Sequence, residues 1–378
     1  MSMDVEERFD LITRDLEETL TEDDLRALLN SGAPVKHYIG FEISGKVHLG
    51  TGLMCMSKVK DFMDAGVDCT VFLADWHTWI NDKLGGDREV IRSVAEGYFK
   101  EALKASLAAL GGNPEKLKFV LGSDLYHHND LYWETVIDVS KHVTLKRALR
   151  SITIMGRKQG EGVDFAKLIY PSMQVADIFI QGVNLAHAGS DQRKAQVVAR
   201  EVAQKLKSSP LLDSKGNKAK PVAVHHHLLL GLKAPPTWPV PRDGMQELWS
   251  EMKMSKSVPD SAVFVHDDPE EVRRKIRAAF CPAGEADFNP VLDWAKYLVF
   301  RRDRTLEVKR PAKYGGDVQF ESYDELERAF VGGKLHPLDL KKAVAEAIVE
   351  ILAPIHEAFS KPPLREMREH LEKLVVTR

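Results

Sequence analysis

The chain has 378 residues, enough for two domains with cores of their own. Its 44% apolar and 29% charged residues are ordinary for a globular protein, and the lack of any apolar run of about 18 residues or more excludes a membrane-spanning helix. A net charge of −3 excludes a polycation though not a local basic patch, and the three scattered cysteines, Cys55, Cys69 and Cys281, exclude a disulfide framework and a four-cysteine zinc site.

The N-terminus is acidic and has no apolar stretch of the signal-peptide kind, so the expected setting is a reduced cytoplasm. Residues 4 to 30 read as two helices, with Thr21-Glu-Asp-Asp24 resembling a capping box for the second. Tyr38 to Ile43 is an apolar strand. The chain then turns through Ser44 and Gly45 into a helix whose residues Leu53, Met56, Val59, Phe62 and Met63 keep helical spacing, stopped by Gly66. His48, Gly50 and Thr51 therefore fall where a strand gives way to a helix. Free N–H groups and a positive dipole end at such a place suit a phosphate chain. Gly50 and Gly52 leave no side chain to hold a ligand off the backbone.

Cys69 to Ala74 is a continuous apolar run, expected as a strand buried on both faces. A helix is expected from about Asp87 to Leu110, ending at Gly111-Gly112, and Lys118 to Leu121 is another short strand. Strands alternating with long helices predict an α/β fold with a parallel sheet covered on both faces. Residues 129 to 151 read as a helix with a basic end, Lys146, Arg147 and Arg150, which on charge alone is a solvated face. Tyr170-Pro171 is expected to open a helix, with proline at its first position. Tyr170, Gln174 and Asp177 share one face of it, set either for solvent or for a ligand. Leu185 to Gln192 again runs from strand to helix, past small residues that leave room. Ligands gather at the carboxyl ends of parallel strands, so this turn and the one at 43–50 are candidates to face one pocket.

Residues 205 to 221 and the proline-rich stretch 234–241 read as surface loops. His225-His226-His227 invites a metal reading, but consecutive strand residues alternate faces, so at most two of the three can share an ion. Partly buried strand histidines are the preferred reading, and no metal site is expected. Lys253-Met-Ser-Lys-Ser257 is a short polar loop with two ammonium groups three residues apart, able to close over a polyphosphate. After Asp268-Pro-Glu-Glu271, a capped helix start, a helix is expected to run to Phe280, where the composition shifts, with helices following at about 289–300, 322–331 and 337–358. Basic and aromatic residues in the loops between them suit an RNA contact.

His48-Leu-Gly-Thr51 at a strand–helix turn, followed about two hundred residues later by Lys253-Met-Ser-Lys-Ser257, closely resembles the paired signatures of class I aminoacyl-tRNA synthetases. Tyr38-Ile-Gly-Phe-Glu, Leu73-Ala-Asp-Trp-His77, Tyr170-Pro-Ser-Met-Gln-Val-Ala-Asp177 and Asp191-Gln-Arg-Lys194 look like the tyrosyl-tRNA synthetases of archaea and eukaryotes. So do Lys309-Arg-Pro-Ala-Lys-Tyr-Gly-Gly-Asp317 and His336-Pro-Leu-Asp-Leu-Lys341. The resemblance covers residues 36 to 358.

It implies a Rossmann-type catalytic domain at 36–260 behind N-terminal helices at 1–35. A connective insertion at about 115–165 would carry a homodimer contact, and a helical anticodon-recognition domain would occupy 261–378. It implies ATP as substrate with Mg²⁺ on the phosphates, and tyrosine and its tRNA as the other substrates. His48, Lys253 and Lys256 would be catalytic. Gly40, Gly50, Thr51, Met254, Ser255 and Ser257 would join them in binding ATP. Tyr38 and Asp177 would bracket the tyrosine hydroxyl, while Tyr170, Gln174 and Gln192 hold its amino and carboxylate end. Arg150, Arg193 and Lys194 would meet the acceptor end of the tRNA, and Tyr314 and Asp339 the first anticodon base. One departure stands out: Thr51 occupies the place where the first signature usually ends in histidine. A tryptophanyl-tRNA synthetase of the same fold is the nearest rival, against which Tyr38 with Asp177 argues, since an indole has no hydroxyl to bracket. A synthetase-derived RNA-binding protein without catalysis is the other rival, and His48, Lys253 and Lys256 argue against it.

Overall fold

The strand that follows Pro34 stands near the centre of a six-stranded sheet. The strands are β1 (Leu16–Leu20), β2 (Lys36–Phe41), β3 (Asp68–Leu73), β4 (Lys118–Leu121), β5 (Leu185–Gly189) and β6 (Val222–His226). The computed structural model describes residues 3–156, 164–240, 248–249, 252–254 and 259–374. The sheet order is β1-β6-β5-β2-β3-β4. All neighbours pair in parallel except β1, which lies antiparallel on β6. Every residue of β5 and β6 is buried, as expected of strands covered on both faces. From β2 the chain works outward to β3 and β4, and from β5 outward to β6. The two halves therefore part between β2 and β5, which opens a crevice at their carboxyl ends.

Several elements differ from the sequence reading. Residues 4 to 30 hold two helices, Val5–Thr13 and Glu22–Asn30, but β1 lies between them. Leu16-Glu-Glu-Thr-Leu20 has no intrinsic strand bias, and pairing with β6 decides its state. The expected helix over 129–151 is two, Asp130–Lys141 and Leu145–Ser151, and Thr144 caps the second by accepting the Arg147 N–H. Proline does not open the helix at 170. That helix is Phe165–Ile180, capped by Asp164, with Pro171 inside it. Proline there deprives the carbonyl four residues earlier of its amide donor, a cost of about 3 kcal/mol that tertiary packing must offset.

The helix after His48 opens with a π-turn, Gly50–Met54, before Cys55–Asp64. Gly52 does not serve a ligand: a Cβ there would come within 2.4 Å of the Val265 side chain, so its place is in the packing.

Beyond residue 268 lie the helices Pro269–Ala278, Pro290–Trp294, Tyr323–Val331 and Pro337–Phe359, and a hairpin of β7 (Leu306–Val308) and β8 (Val318–Phe320) that the sequence reading lacked. The helix Pro337–Phe359 packs on Lys100–Ala109. A continuous apolar core joins Phe9 and Ile12, through Leu53 and Phe62, to Ile348 and Leu352. The tail folds back as a helix, Leu364–Lys373, with Leu371 buried and Glu372 Oε1 at 3.1 Å from Lys46 Nζ. Met367 lies over Gly97, its sulfur 3.8 Å from where a Cβ at that position would stand, an ordinary packing distance. Among the described residues no helix is long and apolar enough to cross a membrane.

Candidate active site

A cavity of about 300 Å³ opens at the carboxyl ends of β2 and β5. At its base lies Asp177, about 1% exposed, on the helix Phe165–Ile180. Tyr126 Oη donates to its Oδ1 at 2.9 Å, and His77 Nε2 stands 3.7 Å from its Oδ2. Burial pushes the Asp177 carboxyl well above the ordinary range, while the hydroxyls of Tyr126 and Tyr132 pull the other way. Tyr38, from β2, faces the same cavity. Burial and the nearby Asp177 keep its phenol protonated. Gly40 gives that phenol its place, since a Cβ there would sit 3.2 Å from the Tyr38 oxygen. Phe72 supplies an apolar wall.

Gln174 stands about one turn and Tyr170 about two turns before Asp177, so the helix offers three polar groups to the cavity. Tyr170 Oη donates to Glu42 Oε1 at 2.7 Å, and its ring stands edge-on to His77 at 4.5 Å. Gln174 Nε2 donates to Gln192 Oε1 at 3.3 Å, and Gln192 Nε2 to the Ile154 carbonyl at 2.9 Å. Gln174 Oε1 is buried with no hydrogen-bond partner among the described residues. An unmatched buried acceptor at the cavity wall suits an ammonium group.

At the other end stand His48, Gly50 and Thr51. The Thr51 N–H donates to His48 Nδ1 at 3.2 Å, which puts the ring proton on Nε2, 3.4 Å from the Thr51 hydroxyl. Gly50 lets the imidazole fold back over the backbone, because a Cβ there would meet its Cε1 at 3.0 Å. Lys253 and Met254 close this side, with the Lys253 ammonium paired to Asp191. Ser255, Lys256 and Ser257 lie outside the described residues.

The three consecutive histidines diverge. His226 Nδ1 meets His187 Nε2 at 2.8 Å, and His226 Nε2 meets the Cys55 sulfur at 3.4 Å. His187 Nδ1 in turn meets His37 Nε2 at 3.1 Å. His227 turns away, to Glu17 and Asp293, and His225 lies 2.9 Å from Glu18. Among the described residues no three His, Cys, Asp or Glu side chains are grouped to hold a metal.

Arg150 and Lys194 are exposed; Lys194 Nζ donates to the Thr153 hydroxyl at 3.0 Å, and that hydroxyl donates to the Arg150 carbonyl at 3.4 Å. Arg193 is exposed too, but its guanidinium forks onto Glu18 at 2.7 and 2.8 Å. Tyr314, 61% exposed, ends a short turn beyond β7. Asp339 is in the first turn of Pro337–Phe359. Arg310 binds the carbonyls of Gly316 and Lys334 and so holds the two loops together.

The family model described as tRNA synthetases class I (W and Y) matches residues 30–353. The tyrosine–tRNA ligase of Thermococcus sibiricus is 59% identical over 379 residues, covering 100% of both chains, and that of Pyrococcus furiosus is 59% identical over the same span. The chain belongs to the class I tyrosyl-tRNA synthetases. The crystal structure of the Pyrococcus horikoshii tyrosyl-tRNA synthetase complexed with L-tyrosine superimposes with a TM-score of 0.94 at 58% identity, covering 97% of this chain and 100% of that one. The tryptophanyl-tRNA synthetase of Aeropyrum pernix, at 20% identity and a TM-score of 0.63, shares the fold.

Tyr126, Glu42, His77 and Asp191 belong to the cavity of this synthetase or touch its polar groups, yet the sequence reading gave them no role. Glu42, His77 and Asp191 stand inside the quoted family words, so a signal existed. Tyr126 had none, since only the packing of Gly122–Tyr126 beside Asp177 brings its hydroxyl in.

Proposed function

We propose that this cavity joins tyrosine to ATP and then passes the tyrosyl group to the 3′-terminal adenosine of the tRNA. The tyrosine carboxylate attacks the α-phosphorus, the bond to the bridging oxygen breaks, and pyrophosphate leaves with the electron pair. The adenosine hydroxyl then attacks the activated carbonyl and AMP leaves. Two anions must meet in the first step, so positioning and cationic stabilisation carry it rather than a protein nucleophile.

His48 donates from Nε2 to the phosphate chain. Lys253, now on Asp191, exchanges that carboxylate for phosphate oxygens as ATP enters, and Lys256 of the same signature adds a second ammonium. Gly40, Gly50 and Met254 shape the nucleotide's bed with Ser255 and Ser257. Thr51 adds a hydroxyl but no charge, which leaves more of the electrostatic work to the lysines. A Mg²⁺ ion would arrive as part of the substrate, on the phosphates. Tyr38 and Asp177 read the substrate hydroxyl. Tyr170, Gln174 and Gln192 hold the amino and carboxylate end, and the ammonium suits the unmatched Gln174 acceptor.

Arg150, Arg193 and Lys194 receive the acceptor stem, for which Arg193 must release Glu18. Tyr314 stacks on an anticodon base that Asp339 reads by hydrogen bond. The division into 1–35, 36–260 and 261–378 goes with this reading, as does work in the cytoplasm where tRNA is charged. Exposed Leu131, Trp133 and Ile137 favour a homodimer through the 115–165 insertion.

The observation that carries the reading is Asp177, buried at the base of the cavity that also holds Tyr38 and His48. Asp177→Ala should cut the preference for tyrosine over phenylalanine in ATP–pyrophosphate exchange by about ten- to hundredfold, the value of a buried polar match. An unchanged preference would overturn it.

A further inference from the structure

Lys253 does not hold its own position. It forms an antiparallel bridge with Leu230, flanked by Gly231 N–H to the Met252 carbonyl at 2.7 Å and Met254 N–H to the Leu229 carbonyl at 2.9 Å. In such a pair the bridged residues point their own amide and carbonyl outward, away from each other. For Leu230 both groups end on the C-terminal helical part. Its N–H donates to Asp293 Oδ2 at 2.9 Å, and its carbonyl accepts from Trp294 Nε1 at 2.9 Å.

Asp293 is buried in the helix Pro290–Trp294 and is itself held in place. Its Oδ1 accepts from His227 Nε2 at 2.7 Å, and that ring stacks on Tyr297 at 4.0 Å and meets Glu17 at 2.7 Å through Nδ1. An apolar residue would fill this space at less desolvation cost if packing were the whole role. A carboxylate split between one imidazole and one backbone amide instead fixes a register.

We infer that Asp293 and Trp294 are positioning residues for Lys253: they clamp Leu230, the residue on which Lys253 is seated, and so the C-terminal part sets where the ammonium meets the polyphosphate. This rests on Lys253 serving the nucleotide step. It gives the tRNA-reading part a physical route to the first reaction, since a shift of the helix Pro290–Trp294 moves both ties on Leu230 together.

A double-mutant cycle in ATP–pyrophosphate exchange tests it, with Asp293→Asn, Lys253→Ala and the double variant, each normalised to tyrosine-binding stoichiometry. Asp293→Asn should lower kcat/KM for ATP roughly tenfold, leave tyrosine affinity unchanged, and lose its effect to within about twofold in the Lys253→Ala background. The same fold loss in both backgrounds, or an equal loss of tyrosine affinity, would overturn the inference while leaving the role of Lys253 standing. Full exchange by Lys253→Ala alone would overturn both. Should Asp293→Asn fail to fold, Trp294→Phe removes the other tie on Leu230 and is read in the same cycle.

Discussion

His227 has a carboxylate on each nitrogen, Glu17 and Asp293, both at 2.7 Å. Burial opposes the charged ring, but Asp293 and Glu17 together outweigh it and raise its pKa to about 9. His226, one residue earlier, is pushed down by burial to about 4. Adjacent histidines therefore sit in opposite charge states at neutral pH. The raised folded value fixes the sign: the stabilisation from His227 is complete below the unfolded pKa of about 6.5 and is lost as pH rises through 9. Its size is on the order of 3 kcal/mol. Urea unfolding at pH 6, 8 and 10 should show this alkaline decline, and His227→Gln should flatten it. The histidine triplet and its alternation of faces were legible in the sequence. Its partners were not, because Glu17 reads as helical until β6 is there to pair with.

The strand β1 shows why. Its register shifts between Leu16 and Glu18, and this irregularity sends Glu17 to His227 and Glu18 toward His225. The short apolar strand Lys118–Leu121 and the long helix Pro337–Phe359 followed from pattern, because burial on a fixed face imposes it. The π-turn at Gly50–Met54 and the proline inside Phe165–Ile180 did not, since tertiary packing overrides local preference there. The tail helix Leu364–Lys373 falls between these cases, amphipathic but outside the matched family words. Two things tie it down, and their magnitudes differ. Leu371, buried, should cost about 2–5 kcal/mol when cut to alanine. The Lys46–Glu372 pair is partly exposed, so Glu372→Gln should cost no more than about 1 kcal/mol. Equilibrium urea unfolding of the two variants ranks them, and a larger loss from Glu372→Gln would contradict this assignment.

Across the whole molecule, one buried carboxylate joins three parts of the chain. Asp61, about 1% exposed on Cys55–Asp64, pairs with Arg14 after the first helix, with Arg301 of the C-terminal part, and with fully buried Lys58 at 3.1 Å. Burial lowers the Lys58 pKa to about 8 even though Asp61 opposes it. Its ammonium also donates to the Arg14 carbonyl at 2.6 Å. Removing Asp61 would leave the buried Lys58 ammonium without a carboxylate, while Arg301 keeps Asp15 and Arg14 is exposed, so Asp61→Ala should cost about 3–5 kcal/mol. Because the apolar core is continuous from Phe9 to Leu352, the loss should appear as one shifted unfolding transition. Two separated transitions in the variant would show the parts to be independent. The shift in composition near residue 280 marked a second part, but composition carries no information on whether cores merge.

The file His37, His187, His226 and Cys55 crosses β2, β5 and β6 within the same interior. A neutral imidazole has one N–H, so the file can hold its protons in only two senses. With each Nε2–H pointing to the next residue, Cys55 receives the last proton and gives its own to the Gly50 carbonyl at 3.2 Å. The opposite sense would strand an N–H at His37 Nδ1, which has no acceptor. Three strands and the start of the helix Cys55–Asp64 thus share a single proton polarity, and flipping any one ring would require the rest to reverse with it.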